Sequence, residues 1–204
     1  MGEVRRRGRP RSATADQAIL EATRELLVEN GYARLSMEGV AARTGVGKPT
    51  VYRRWRSKGA LVADAVRDGL LSTTPGRDLA PPNTGNAEQD LRAWLHRYTL
   101  VATDPRNVPL ALALTAAAAE NPHDAEVLYQ QLTGPQHAAL VERLRSAADS
   151  GQLRADADVE AVADAVIGAV LFQLLTGNAA ASPQRADALF DILLAGLRPA
   201  PSRN

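Results

Sequence analysis

A chain of 204 residues, 45% of them hydrophobic, can bury a sizeable core as one large domain or two small ones, which excludes disorder throughout. It has no cysteine, so neither a disulfide framework nor a thiolate metal site is open to it, and His96, His123 and His137 do not have a metal-ligand spacing. The net charge of +1 hides an asymmetry: residues 1–58 carry 13 Lys/Arg against 6 Asp/Glu, net +7, while the remainder is net −6.

In chain order, the opening "RRRGRPR", Arg5 to Arg11, reads as part of a basic disordered arm over residues 1–13. Helical periodicity follows, with Ile19, Leu20, Thr23, Leu26 and Leu27 on one face of a first helix from Thr14 to Asn30. Gly31 stands where a left-handed cap is wanted. Ser36 can cap a second, shorter helix ending near Thr44, Gly45-Val46-Gly47 interrupts, and Pro49 suits the first turn of a third helix from Lys48 to Trp55. Ser57 can cap a fourth, running from 58 to about 71.

The stretch 72–86, rich in Pro, Gly, Ser, Thr and Asn, reads as a linker. Beyond it, Leu91, Trp94, Leu95 and Tyr98 mark a fifth helix and Val108 to Glu120 a sixth. A long seventh, capped by Asp124 and ending near Gly151, should bend at Pro135. An eighth follows Asp158 to about Thr176, a ninth runs from Pro183 to Leu197, and residues 198–204 form a disordered tail. No segment alternates with a period of two, so the fold class is all-α with about nine helices.

Two short helices joined by a glycine-containing turn, braced by a longer one before them, have the layout of a helix-turn-helix, whose second helix enters the DNA major groove. The basic amino-terminal part fits that partner, double-stranded DNA; the acidic remainder would be repelled from it. Pro49 and the Thr50 methyl can lie against a thymine methyl, and the Thr50 hydroxyl or the Lys48 amine can reach a base edge. Tyr52 can donate to a phosphate, Arg53 can reach a base or nearby phosphate, and Arg54, 100° further round the helix, can reach the DNA backbone.

"TGVGKPTVYRRWRSKGAL", Thr44 to Leu61, closely resembles the DNA-binding helices of TetR-family transcriptional regulators: a T-G-V turn, a short helix ending in Y-x-x-W, then S-K-x-x-L. The motif likeness covers about residues 14–66, and the helix order extends it along the chain. The resemblance implies a helix-turn-helix domain over 14–58 and an effector-binding and dimerisation domain over 72–197. It makes Lys48, Pro49, Thr50 and Arg53 base readers and Tyr52 and Lys58 phosphate contacts. Ser36 becomes a cap that can also touch phosphate, and Trp55 an inward anchor. It further implies a homodimer on a palindromic operator. Within the arm, Arg7-Gly8-Arg9-Pro10 resembles an AT-hook, in which Arg7 and Arg9 would lie in a minor groove.

The last two helices carry apolar faces that would pair with a second copy, with Val162, Val166 and Val170 on one and Leu189, Phe190 and Leu193 on the other; an intramolecular core has the same pattern. If the likeness extends to an effector pocket, Trp94, Tyr98, Tyr129, His137, Phe172 and Gln173 are its candidates, although core and pocket linings share these residue types. No glycine-rich phosphate loop or G-x-S-x-G serine occurs, so neither catalysis nor a cofactor or metal is expected. The apolar stretch 161–175 is broken by Asp164, Gly168 and Gln173, so no membrane partner is expected and a cytoplasmic location is. Two functions remain in view: a ligand-responsive repressor released by a small hydrophobic effector, and a constitutive DNA-binding architectural protein without one.

Overall fold

The structure, a computed structural model, describes residues 10–73 and 80–199. The arm residues Arg7 and Arg9, positions 74–79 of the expected linker and the tail from 200 lie outside the described residues. Helices α1 (Pro10–Arg34), α2 (Met37–Thr44), α3 (Lys48–Arg54) and α4 (Lys58–Thr73) are followed by α5 (Ala87–Thr103) and α6 (Val108–Glu120). Then come α7 (Pro122–Leu128), α8 (Gly134–Asp149), α9 (Val159–Leu175) and α10 (Ser182–Leu197). No strand occurs among the described residues. Helix α1 starts four residues before the expected Thr14, and it leaves helical geometry at the anticipated Gly31, where φ is 72°.

Side-chain caps explain several of the helix starts. The Ser36 hydroxyl accepts the Gly39 N–H at 3.0 Å, Asn86 accepts from Gln89 and Asp158 from Ala161, each satisfying a donor that a helix start leaves unpaired. Asp124 does not cap α7 as anticipated; Asn121 does, accepting the His123 N–H, and Asp124 sits inside the first turn facing another helix.

The long seventh helix widens just ahead of Pro135. Between α7 and α8, Tyr129–Thr133 forms a π turn in which the Gly134 N–H reaches the Tyr129 carbonyl, five residues back. A proline ring collides with the carbonyl four residues before it, and widening the preceding turn moves that carbonyl aside. Counted as one continuous rod from Pro122 to Asp149, these pieces make nine helices among the described residues.

Two apolar clusters hold the chain. The first gathers Ile19, Leu27, Val40, Val51, Leu61 and Val62 from α1–α4 and extends to Ala113 and Ala117 of α6 and Leu128 of α7. The second joins α5, α8, α9 and α10 through Leu91, Trp94, Leu140, Leu144, Val166 and Phe190. Beside the second, Arg143 of α8 and Asp90 of α5 form a buried ion pair at 2.7 Å. Asp90 also accepts from the Thr84 N–H and hydroxyl, and Arg143 donates to the Pro82 carbonyl, so the pair pins the loop before α5.

Candidate nucleic-acid interface and effector cavity

Gly45 adopts the left-handed region (φ 68°) and ends α2, and Gly47 begins α3 with no side-chain cap, so the α3 start is bare backbone followed by Pro49 in its first turn. One side of α3 faces inward: Val51 is fully buried, and Trp55 is buried with its Nε1 donating to Asp64 at 2.9 Å. The opposite side presents Lys48, Pro49, Tyr52 and Arg53 to solvent, with Thr50 half-buried beside them. Ser36 is exposed at the start of α2. Arg43 forks onto Glu29 at 2.6 Å, bracing α2 against α1.

Three residues of this region have intramolecular partners that sequence reasoning did not foresee. The Tyr52 hydroxyl donates to Glu38 Oε1 at 2.7 Å, which pushes the tyrosine pKa up and holds the Glu38 carboxyl below its usual range. Its single proton is thus occupied, and donation to a phosphate requires that bond to open. Arg54 is ion-paired with Asp16 of α1. Lys58, read from the sequence as a phosphate contact, instead bonds Glu120 at 2.9 Å and the Tyr32 carbonyl at 3.1 Å and lies over the Tyr32 ring.

Lys58 is one half of a latch between the DNA-reading helices and the rest of the chain. In the other half, the buried Asp124 of α7 accepts the Gly59 N–H at 3.1 Å and the Tyr32 hydroxyl at 3.0 Å. A carboxylate from another helix therefore occupies the start of α4, where the exposed N–H groups and the helix dipole favour an anion. Burial, reinforced by Asp124, pushes the Tyr32 pKa far upward.

A cavity of about 450 Å³ opens between α4, α5, α6, α7, the π turn, α8 and α9. Among the described residues that line it, none carries a formal charge at neutral pH. Of the six sequence candidates, Tyr98 and Tyr129 line it and four do not. Trp94 is buried behind Tyr98, its ring stacked at 5.1 Å; Phe172 points outward, 59% exposed. His137 sits 3.0 Å from Asp164, and Gln173 is buried outside the lining. Asn107, Thr115, Thr133 and Gln136 are polar lining residues that the sequence reading missed, because only the fold brings the turn before α6 and the π turn to one space.

Most of the residues expected to face a second copy pack within the protomer. Val162, Val166, Val170 and Phe190 are buried within the protomer, and Leu189 and Leu193 are half-buried. The large apolar side chains left exposed on α9 and α10 are Phe172, Leu175 and Ile192, next to Gly168 and Gly196, where an added Cβ would meet open space. No helix among the described residues is long and apolar enough to cross a membrane.

A helix-turn-helix with an exposed, basic second helix, joined by α4 to a separate cavity, defines a DNA-binding regulator. Residues 19–65 match the family described as "Bacterial regulatory proteins, tetR family", and residues 81–193 match "Tetracyclin repressor-like, C-terminal domain". The uncharacterized HTH-type transcriptional regulator Rv1556 of Mycobacterium tuberculosis is 31% identical over 174 residues, 85% of this chain and 82% of the relative. YdeS of Bacillus subtilis, another uncharacterized HTH-type regulator, is 30% identical over 174 residues, 85% of each chain. The crystal structure of the TetR family transcription regulator SCO0332 superposes with a TM-score of 0.66 at 35% identity, covering 91% of this chain and 99% of that one. The chain belongs to the TetR family and is a helix-turn-helix transcriptional regulator.

Proposed function

We propose that this regulator is a homodimeric repressor that binds a palindromic operator and is released by a small hydrophobic effector. The observation that carries the reading is the sharing of one helix between two sites: α4 starts in the latch beside the DNA-reading unit and contributes Val66 to the cavity wall. Ala125, which also lines the cavity, adjoins the latch residue Asp124. A ligand that favours a wider cavity therefore acts on the seat of α4. In a dimer, where the two reading helices must sit about 34–36 Å apart, a modest swing of each α4 puts them out of register. A coupling of ~1–3 kcal/mol lowers operator affinity about 5–150-fold.

In this reading Lys48, Pro49, Thr50 and Arg53 read bases, Tyr52 reaches phosphate after exchanging Glu38 for it, and the Arg7-Arg9 arm follows the adjacent minor groove. The second copy packs on the outward face of α9 and α10 around Phe172, Leu175 and Ile192. Screening hydrophobic compounds in parallel by thermal shift and by release of a labelled operator tests the reading. Compounds that raise the melting temperature and weaken the DNA complex support it; compounds that stabilise the protein and never weaken the complex overturn it, as does a monomer at micromolar concentration.

A further inference from the structure

We propose that the cavity selects an uncharged effector bearing a hydrogen-bond acceptor, such as a ketone, amide or ether oxygen, which takes the proton of the Tyr98 hydroxyl. The proposal rests on the reading of this chain as an effector-responsive regulator and names the chemical class that its cavity takes.

Charge is excluded by the walls. The described lining is Val, Ala, Leu and Ile with Tyr, Asn, Thr and Gln, and a carboxylate or ammonium group enclosed there would lose its hydration without a counter-ion. Volume sets the size: at ~30 Å³ per water-sized group, 450 Å³ corresponds to a small ligand of about fifteen non-hydrogen atoms.

Of the other polar lining groups, two are already engaged within the chain, while the Thr133 hydroxyl and the Gln136 amide also border the space. The Asn107 amide donates to the Val101 carbonyl at 2.9 Å, and the Thr115 hydroxyl donates to the Leu112 carbonyl at 2.8 Å. Tyr129 is 42% exposed, so its hydroxyl is open to water. Tyr98 lies deeper, and its ring is held by the near-parallel stack on the buried Trp94. Its hydroxyl has no hydrogen bond among the described residues, and burial pushes its pKa up to about 12, so it remains a neutral donor. A fixed, unpaired donor on an apolar wall favours a ligand that brings the acceptor.

The test uses three probes of nearly equal shape, 2-acetylnaphthalene, 2-ethylnaphthalene and 2-naphthoate, titrated calorimetrically into the full chain and into Tyr98→Phe. Wild type should bind the ketone about 3–10-fold more tightly than the hydrocarbon, the advantage of one net hydrogen bond, and the carboxylate at least ~100-fold more weakly. In Tyr98→Phe the ketone and hydrocarbon should bind alike, with the urea midpoint unchanged because that hydroxyl has no protein partner. Carboxylate binding as tight as the ketone's, a ketone preference that survives Tyr98→Phe, or no binding of any probe overturns the proposal. Operator release is read separately. Binding in the expected order without release keeps the ligand class and refutes the effector reading. Release by 2-naphthoate does the reverse.

Discussion

Replacing Gly59 by alanine tests the latch between the DNA-reading helices and the cavity. A Cβ built at Gly59 lies 2.7 Å from Asp124 Oδ1 and 2.9 Å from both its Cα and its Cβ. Because two of these are backbone or near-backbone atoms of a packed helix, α7 must retreat from α4 rather than one side chain rotate. Forcing such an overlap costs ~1–3 kcal/mol, and displacing Asp124 weakens its bonds to the Gly59 N–H and the Tyr32 hydroxyl. Against this stands the helix propensity of alanine, at most ~1 kcal/mol over glycine and less in a first turn. The clash wins, and the net loss is about 2 kcal/mol, or about 4–8 °C in Tm for a chain of this length. Asp124→Ala alone costs about 3 kcal/mol by leaving two buried donors unpaired, but it also removes the carboxylate that the methyl group introduced by Gly59→Ala meets. The double variant should therefore lose at least ~1 kcal/mol less than the two single losses together. Urea denaturation of the four proteins measures this. If Gly59→Ala is as stable as wild type, or the losses add, α4 and α7 do not make this contact.

Other expectations follow from the same structure. Arg143→Met leaves the Asp90 carboxylate buried without its partner and should cost about 3–5 kcal/mol in urea denaturation. Hydrogen bonds from Arg106 and Arg154 hold Asp104 and Asp156 at about 2, and at Asp90, although burial raises the pKa, the bonds from Thr84 and Arg143 outweigh it and keep it below the ordinary 3.8. These folded-state values lie below the unfolded ones, so their contribution is complete above about pH 4 and is lost as pH falls toward 2; a urea midpoint constant over that interval refutes this. In binding titrations Thr50→Ala or Arg53→Ala should reduce discrimination at one base pair by ~1–3 kcal/mol. Glu38→Gln, which removes a carboxylate beside the reading helix and leaves the Tyr52 hydroxyl a weaker, uncharged acceptor, should strengthen binding to all sequences alike.

What could be read from the sequence was local. Ser36, Gly45 and Pro49 set the helix-turn-helix because a cap, a left-handed glycine and a first-turn proline act within a few residues of themselves. Long-range pairing was not legible: Lys58 and Glu120 are 62 positions apart, and nothing near Lys58 distinguishes a phosphate from a carboxylate as its partner. Helix α9 is apolar on nearly every side, so periodicity could not show that Val166 and Val170 face the protomer core and Phe172 and Leu175 face outward. The cavity failed to appear for a similar reason, since its polar lining comes from several helices and the π turn, each ordinary by itself.

The π turn at Tyr129–Thr133 also sets the phase of the rod that contains it. Leu128 and Leu140, each buried in one of the two cores, are twelve positions apart, which in an unbroken α-helix would rotate them ~120° from one another. One turn closed five residues back instead of four absorbs a residue without advancing the helix, so the effective spacing is eleven and the rotation only ~20°. The extra residue is stored in the cavity wall, while the faces on either side keep the alignment of a helix one residue shorter. Deleting one position within the turn would thus leave both buried faces in phase and narrow the cavity. The breadth of the cavity wall can in this way change by a single residue while the two cores keep their pairings.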